Sequence, residues 1–265
     1  MKTLFNFATK FMLLGGLALL TFNCSKDEVN PLADDNQQVT SVELKTILDT
    51  DDISGAADSI IADVFSNGQS GKSSKLEDCH VTEFTDTGFN VTFDSCTYEG
   101  GQVITGSISM SYIEGQENAF TATYTNLMVG EYEINGTRSF AIIGDGQSGL
   151  SFSITSDMTI KLEDGSIIEE TGAKVLGFVF DFNNLENSGL TVDGDWTVKA
   201  DGNTYVINIT TPLEIIGNCD YFGKGIMQLN KNGIKVDVDF GDGTCDDKAT
   251  LTYPDGTNEE ISLKD

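Results

Sequence analysis

One histidine, one tryptophan and 15 basic side chains in 265 residues set the first limits on this chain. A Ser–His–Asp or Cys–His catalytic system would have to use His80, which stands beside Cys79. A zinc site would need CxxC spacing or further histidines, and neither is present. Lys and Arg are outnumbered by 42 Asp and Glu, for a net charge of −27. Such a surface repels phosphate backbones, so no nucleic-acid partner is expected. It also repels anionic lipid headgroups and attracts divalent cations weakly. No Gly-x4-Gly-Lys-Ser/Thr phosphate loop occurs. The one long apolar run, Phe11 to Leu20, is too short to span a bilayer.

That run follows Lys2 and Lys10 and leads to Cys24. A cationic start before a short apolar stretch predicts a secretory signal over 1–23, with Cys24 as the lipid-bearing first residue of the mature chain. Both lysines lie in the removed part, so the mature chain is more acidic still. Residues 24–40 are polar, contain Pro31 and lack an apolar period, as a tether would. Setting Cys24 aside leaves Cys79, Cys96, Cys219 and Cys245. In an exported chain an even count predicts disulfides, and four cysteines allow three connectivities. The local pairs Cys79–Cys96 and Cys219–Cys245 are favoured, because each would span a hairpin.

Residues 41–66 predict one amphipathic helix. Ile53, Ala56, Ala57, Ile60, Ile61, Val64 and Phe65 form its apolar stripe, and Asp51 and Asp52 stand where the stripe starts. A Gly/Ser linker is expected over 67–75. From 76 to 265 the period is two: Ile104, Ile108 and Met110 alternate with Thr105, Ser107 and Ser109, and the pattern recurs around Leu150–Leu162, Tyr205–Ile209 and Ile234–Phe240. Only the run Val175–Phe182 is apolar at both parities, marking it as the central strand. Gly106, Gly136, Gly165, Gly194, Gly225 and Gly256 recur at intervals of 29 to 31 residues, about one hairpin each, which suggests internal duplication. The predicted fold is all-β: an antiparallel meander of roughly a dozen strands, a sandwich or rolled half-barrel, with the N-terminal helix covering or plugging the opening. A transmembrane barrel would alternate too. The lone Trp196 cannot supply its aromatic belt, and Ser262-Leu263-Lys264-Asp265 is not an aromatic strand end.

Few residues carry chemistry. Asp239, Asp242, Asp246 and Asp247, with Gly241 and Gly243 between them, are a weak candidate for a calcium loop and are better read as a hairpin turn held by a disulfide; no other cofactor is expected. Trp196 with Tyr205 and Tyr221 could stack on a sugar, or be core. No spacing singles out a carboxylate pair for hydrolysis.

Leu19-Leu20-Thr21-Phe22-Asn23-Cys24 resembles a lipobox, departing from it at Asn23, where Gly, Ala or Ser is usual. Cys24-Ser25-Lys26-Asp27-Glu28 is similar to the polar, acidic signal after the lipidated cysteine of Bacteroidetes-type surface lipoproteins. The segment Val238–Asp246 is similar to uncharacterised lipoproteins of that group. The resemblance implies a lipid anchor in the outer membrane and an outward-facing domain. The expected role is non-enzymatic: a binding or structural envelope module for a glycan or protein ligand. Alternatives are a half-barrel carrier of apolar ligands and a carboxylate-dependent hydrolase.

Overall fold

The computed structural model describes residues 39–70, 79–98, 101–116, 118–144, 150–179, 188–217 and 219–264. The leader, Cys24, the tether as far as residue 38, and Phe180 and Phe182 lie outside the described residues.

One helix, α1 (Ser41–Ser70), precedes thirteen strands: β1 (His80–Thr85), β2 (Gly88–Thr97), β3 (Val103–Tyr112), β4 (Ala119–Val129), β5 (Tyr132–Ile142), β6 (Leu150–Lys161), β7 (Ile167–Val179), β8 (Gly189–Ala200), β9 (Asn203–Ile216), β10 (Lys224–Lys231), β11 (Ile234–Asp242), β12 (Lys248–Thr252) and β13 (Asn258–Ser262). Every strand pairs antiparallel with its chain neighbours, giving one open sheet in the order β1 to β13. The fold is the expected all-β meander with a single helix. It is sandwich-like in turning an apolar face inward, but that face belongs to one continuous sheet, and α1 lies on it.

Helix α1 starts at a capping box. Thr40 Oγ1 accepts the Glu43 N–H at 3.2 Å, and Glu43 Oε2 accepts the Thr40 N–H at 2.9 Å. Asp51 and Asp52 are therefore not at the helix start; they fall in its third turn. The helix also runs on to Ser70, through the first residues of the expected linker. Nor is Val39 tether: it is 1% exposed, and its carbonyl accepts the Tyr253 hydroxyl at 3.1 Å.

Leu44, Ile47, Thr50, Ser54, Ala57, Ile60, Ile61 and Val64 are buried, while Val42, Asp49, Asp52, Ser59 and Ala62 form a narrow exposed stripe. Most positions between are half-buried, so the sheet flanks the helix on both sides as a trough. The N-terminal half of α1 packs among core residues of β6 to β13, and the C-terminal half among those of β2 to β6. The helix thus lies across the strands, and about 30 Å of it separates Glu43 from Asp63.

Mid-strand glycines let the sheet bend over this helix. Gly136 on β5 has φ 122°, and a Cβ there would stand 2.2 Å from the Asp157 carbonyl oxygen. Close by, the β4–β5 register slips between Tyr124 and Leu127, a bulge of the kind that curves a sheet. Gly106, Gly194 and Gly225 also lie within strands, whereas Gly165 and Gly256 sit in turns. The 29-to-31-residue ladder therefore mixes two roles and does not mark one repeated hairpin. Strand β7 is central in the strand order, as expected, but is not buried on both faces: Val179 is 49% exposed and outward.

Gly136→Ala should cost more than about 2 kcal/mol, because backbone must move. Gly165→Ala meets nothing within 4 Å and should cost only the left-handed backbone term, about 1 kcal/mol. Urea unfolding of the two variants measures the difference.

Candidate functional site

The interior is closed by charge as well as by apolar packing. Arg138 is the chain's only arginine. Period two along β5 turns it inward between Gly136 and Phe140, and its side chain is 4% exposed. Its Nη1 donates to Asp58 Oδ2 of α1 at 2.6 Å, and its Nε donates to Ser156 Oγ at 3.2 Å. Asp58 also accepts the Tyr124 hydroxyl at 2.6 Å. On β7 the same parity buries Glu170 and Lys174, 0% and 5% exposed. Lys174 Nζ donates to Glu170 at 2.9 Å and to Asp51 of α1, and lies 4.4 Å from the centre of the Trp196 ring. At the other end of the helix, Lys231 pairs with Glu43 at 2.7 Å, and the Tyr205 hydroxyl donates to the same carboxylate at 2.7 Å. Tyr98 donates to Asp63 at 2.8 Å.

At the middle of this seam three carboxylates face two cations. Burial raises the affinity of Asp51 and Asp58 for a proton, outweighing Lys174 and Arg138. Glu170 is desolvated too, but Lys174 and Arg138 together hold its carboxyl below the ordinary range. Glu43, whose burial is opposed by hydrogen bonds from Lys231, Tyr205 and the Thr40 N–H, is likewise lowered. Charges in this state are joined to partners and hold α1 at a defined place; none faces an open cleft.

The structure joins Cys79 to Cys96 across the β1–β2 hairpin and Cys219 to Cys245 across β10–β11, the favoured local pairs. A shallow depression with room for about one water molecule, open to solvent, lies beside the second disulfide and is lined by Glu214, Ile216, Gly223, Gly243 and Thr244. The carboxylates of the proposed calcium loop are not brought together. Asp239 accepts the Gly241 N–H, Asp242 the Thr244 N–H and hydroxyl, Asp246 the Lys248 N–H, and Asp247 the Ser262 hydroxyl. The first three are turn-capping bonds, and the fourth ties Asp247 to β13. Among the described residues no group of three or more His, Cys, Asp or Glu side chains is placed to hold a metal ion. Trp196 and Tyr205 are 3% and 2% exposed on the inner face, so they are core and cannot stack on an external sugar.

What remains accessible is the outer face, and its order was not foreseen. Cross-strand pairing aligns Ser111, Thr121, Ser139, Thr155, Ala173, Asp195, Asn208, Gln228, Asp237, Thr252 and Asn258 in one row over eleven strands, β3 to β13. Two residues along the strands runs a second row, Asn90, Ser109, Thr123, Thr137, Asp157, Thr171 and Thr197. Strand spacing separates neighbours in a row by about 4.8 Å, and the two rows by about 7 Å. Several members are tied to each other: Ser109 donates to Asn90 at 2.6 Å, Thr121 and Ser139 share a bond of 2.8 Å, Asn208 donates to Asp195, and Gln228 donates to Asp237 at 3.1 Å. The rows are a preorganised lattice of hydroxyl, amide and carboxylate groups, interrupted at Ala173.

No family model, curated protein or solved structure matches this chain.

Lys174→Met leaves the buried Glu170 carboxylate unpaired and should lose about 3–5 kcal/mol in urea unfolding. A different pH response comes from Asp52. Partial desolvation and the neighbouring Asp49 and Asp51 raise it from 3.8 to about 6. The folded state therefore holds this proton to higher pH than the unfolded chain does. Its stability contribution is present below the unfolded value and is lost as pH rises through 6. Asp52→Asn should raise the melting temperature at pH 7 and leave it unchanged near pH 3.5, measured by thermal melts at both pH values.

Proposed function

We infer that this chain is a non-enzymatic envelope module, anchored through Cys24 and facing outward, that binds a glycan on the outer face of its sheet. The observation that carries the reading is the row of polar side chains on ten of eleven adjacent strands. Hydroxyls and amides at regular spacing offer paired donors and acceptors to a hydroxyl-rich chain, and their mutual bonds reduce the entropy lost when a ligand docks. The inner face is unsuited to such a ligand, because α1 covers it and its charges are paired. A buried network with its carboxylates joined to Lys174 and Arg138 also supports a role without turnover. The leader, Cys24 and the acidic residues after it support the location, and the excess of acid supports attachment by acyl chains, not by headgroup attraction.

A carrier of apolar ligands would need α1 to leave the trough, breaking its pairs with Lys231, Lys174 and Arg138. Native mass spectrometry of the purified chain favours that reading only if lipid is found bound.

Neutral envelope polysaccharides immobilised for biolayer interferometry should retain the purified chain. The triple variant Thr121→Val, Ser139→Ala, Thr155→Val should lose most of that binding at an unchanged melting temperature. Equal binding by the triple variant, or no retention by any polysaccharide tested, would overturn the reading.

A further inference from the structure

The two edges of the open sheet differ in how they are protected. Strand β13 is five residues long, carries Glu259 and Glu260 side by side, and has Lys248 of β12 paired with Glu260 at 2.7 Å. Adjacent charges on a short edge discourage further strand pairing. Strand β1 has little of this. Among the described residues it pairs only with β2, in an unbroken register from His80–Phe93 to Thr85–Gly88. It contains no Lys, Arg or Pro and one carboxylate, Glu83. Val81 and Phe84 are 63% and 75% exposed. No residue of β1 belongs to either core cluster. The Cys79–Cys96 disulfide fastens the strand at one end, so the edge is ready-made and costs little to order.

We propose that β1 pairs with β1 of a second copy of this chain, antiparallel about a twofold axis at Thr82, making one continuous sheet across two molecules. Parity and overlap together limit the register: of the allowed centres, only Thr82 and Glu83 pair five of the six strand residues, against three for Val81 or Phe84. Partners across an antiparallel pair share a face, so β1 residue numbers facing each other must sum to an even value. Centring the axis on Glu83 would set two carboxylates directly opposite, which is unfavourable. Centring it on Thr82 places Phe84 opposite His80 and Val81 opposite Glu83. Phe84 already lies 6.1 Å from Phe89 on its own molecule, and His80 the same distance from Phe93. The second copy therefore covers the exposed face of Phe84 and extends the aromatic row of the inner surface. One pair of six-residue strands is a small interface, so the dimer is weak and concentration-dependent. The net charge of −27 on each copy opposes association, and salt screens that repulsion. The occupant is a second copy because the strand is complementary to itself in this register.

The full chain, made with Cys24→Ser so that it purifies without acyl groups, is taken through sedimentation equilibrium at rising concentration and at two salt levels. A monomer–dimer equilibrium strengthened by salt is expected, and Phe84→Lys should return it to monomer with an unchanged melting temperature. Register is read separately, on the same background, by oxidation of variants that each add one unpaired cysteine to the four held in disulfides. Thr82→Cys puts the new thiols across the axis, where facing Cα atoms about 4.5–5.5 Å apart fit a disulfide, and should give covalent dimer. Thr85→Cys should give at least tenfold less. A chain that stays monomeric at every concentration overturns the proposal. So does a dimer indifferent to Phe84→Lys, or one that cross-links as well through position 85 as through 82.

Discussion

A single sheet with one apolar face has nothing of its own to bury that face against. Here α1 supplies the missing layer, and everything else depends on how it is held. Apolar contact alone would let a helix slide or roll in a trough of Ile, Val and Leu. The charged seam removes that freedom: Glu43 meets Lys231, Asp51 meets Lys174, and Asp58 meets Arg138, each at its own strand. Buried ion pairs add little net stability, but losing one partner is costly, so a displaced helix is penalised at several points at once. The seam gives position, and the burial around Leu44, Ile47, Ile60 and Val64 gives adhesion.

The same arrangement sorts the charge. Cations are scarce, and Arg138, Lys174 and Lys231 are spent inside. Their acidic partners Glu43, Asp51, Asp58 and Glu170 are inside with them, so the outer surface keeps nearly the whole net negative charge, and its regular rows consist largely of small neutral groups with carboxylates among them. Apolar, ionic and hydrogen-bonding side chains thus occupy three separate zones: trough, seam and outer face.

Much of this was legible from period alone. Alternation announced the antiparallel strands, and the local spacing of Cys79 with Cys96 and of Cys219 with Cys245 announced their pairs. The first half of α1 was harder to read, because Thr50 and Ser54 occupy buried positions where an apolar stripe is sought. The Thr40–Glu43 capping box was a visible signal of the true helix start, while the eye went to Asp51 and Asp52. The inward parity of Arg138 among Ile134, Gly136 and Phe140, and of Lys174 among Ile168, Glu170 and Gly172, was also visible. Its meaning was not, since the partners lie more than 70 residues away on the helix. The outer rows depend on register between strands, which hydrophobic pattern constrains only to the correct face. Four acids close in sequence at 239–247 read as a cluster, yet three are absorbed by their own turns and Asp247 by Ser262 of β13.

The direction of α1 has a consequence for how the chain acquires its structure. Strand order rises steadily from β1 to β13, whereas the helix runs the other way, from Tyr253 and Lys231 at its start to Tyr98 near its end. Strands zip to their immediate neighbours, which is rapid local chemistry, but the bond between Val39 and Tyr253 spans 214 positions. The C-terminal half of α1 has its seat as soon as β2 to β6 exist; the N-terminal half waits for the last strands. The leading turns of the helix stay unsatisfied until the last strands are in place, so closure between the two ends of the domain comes late in folding.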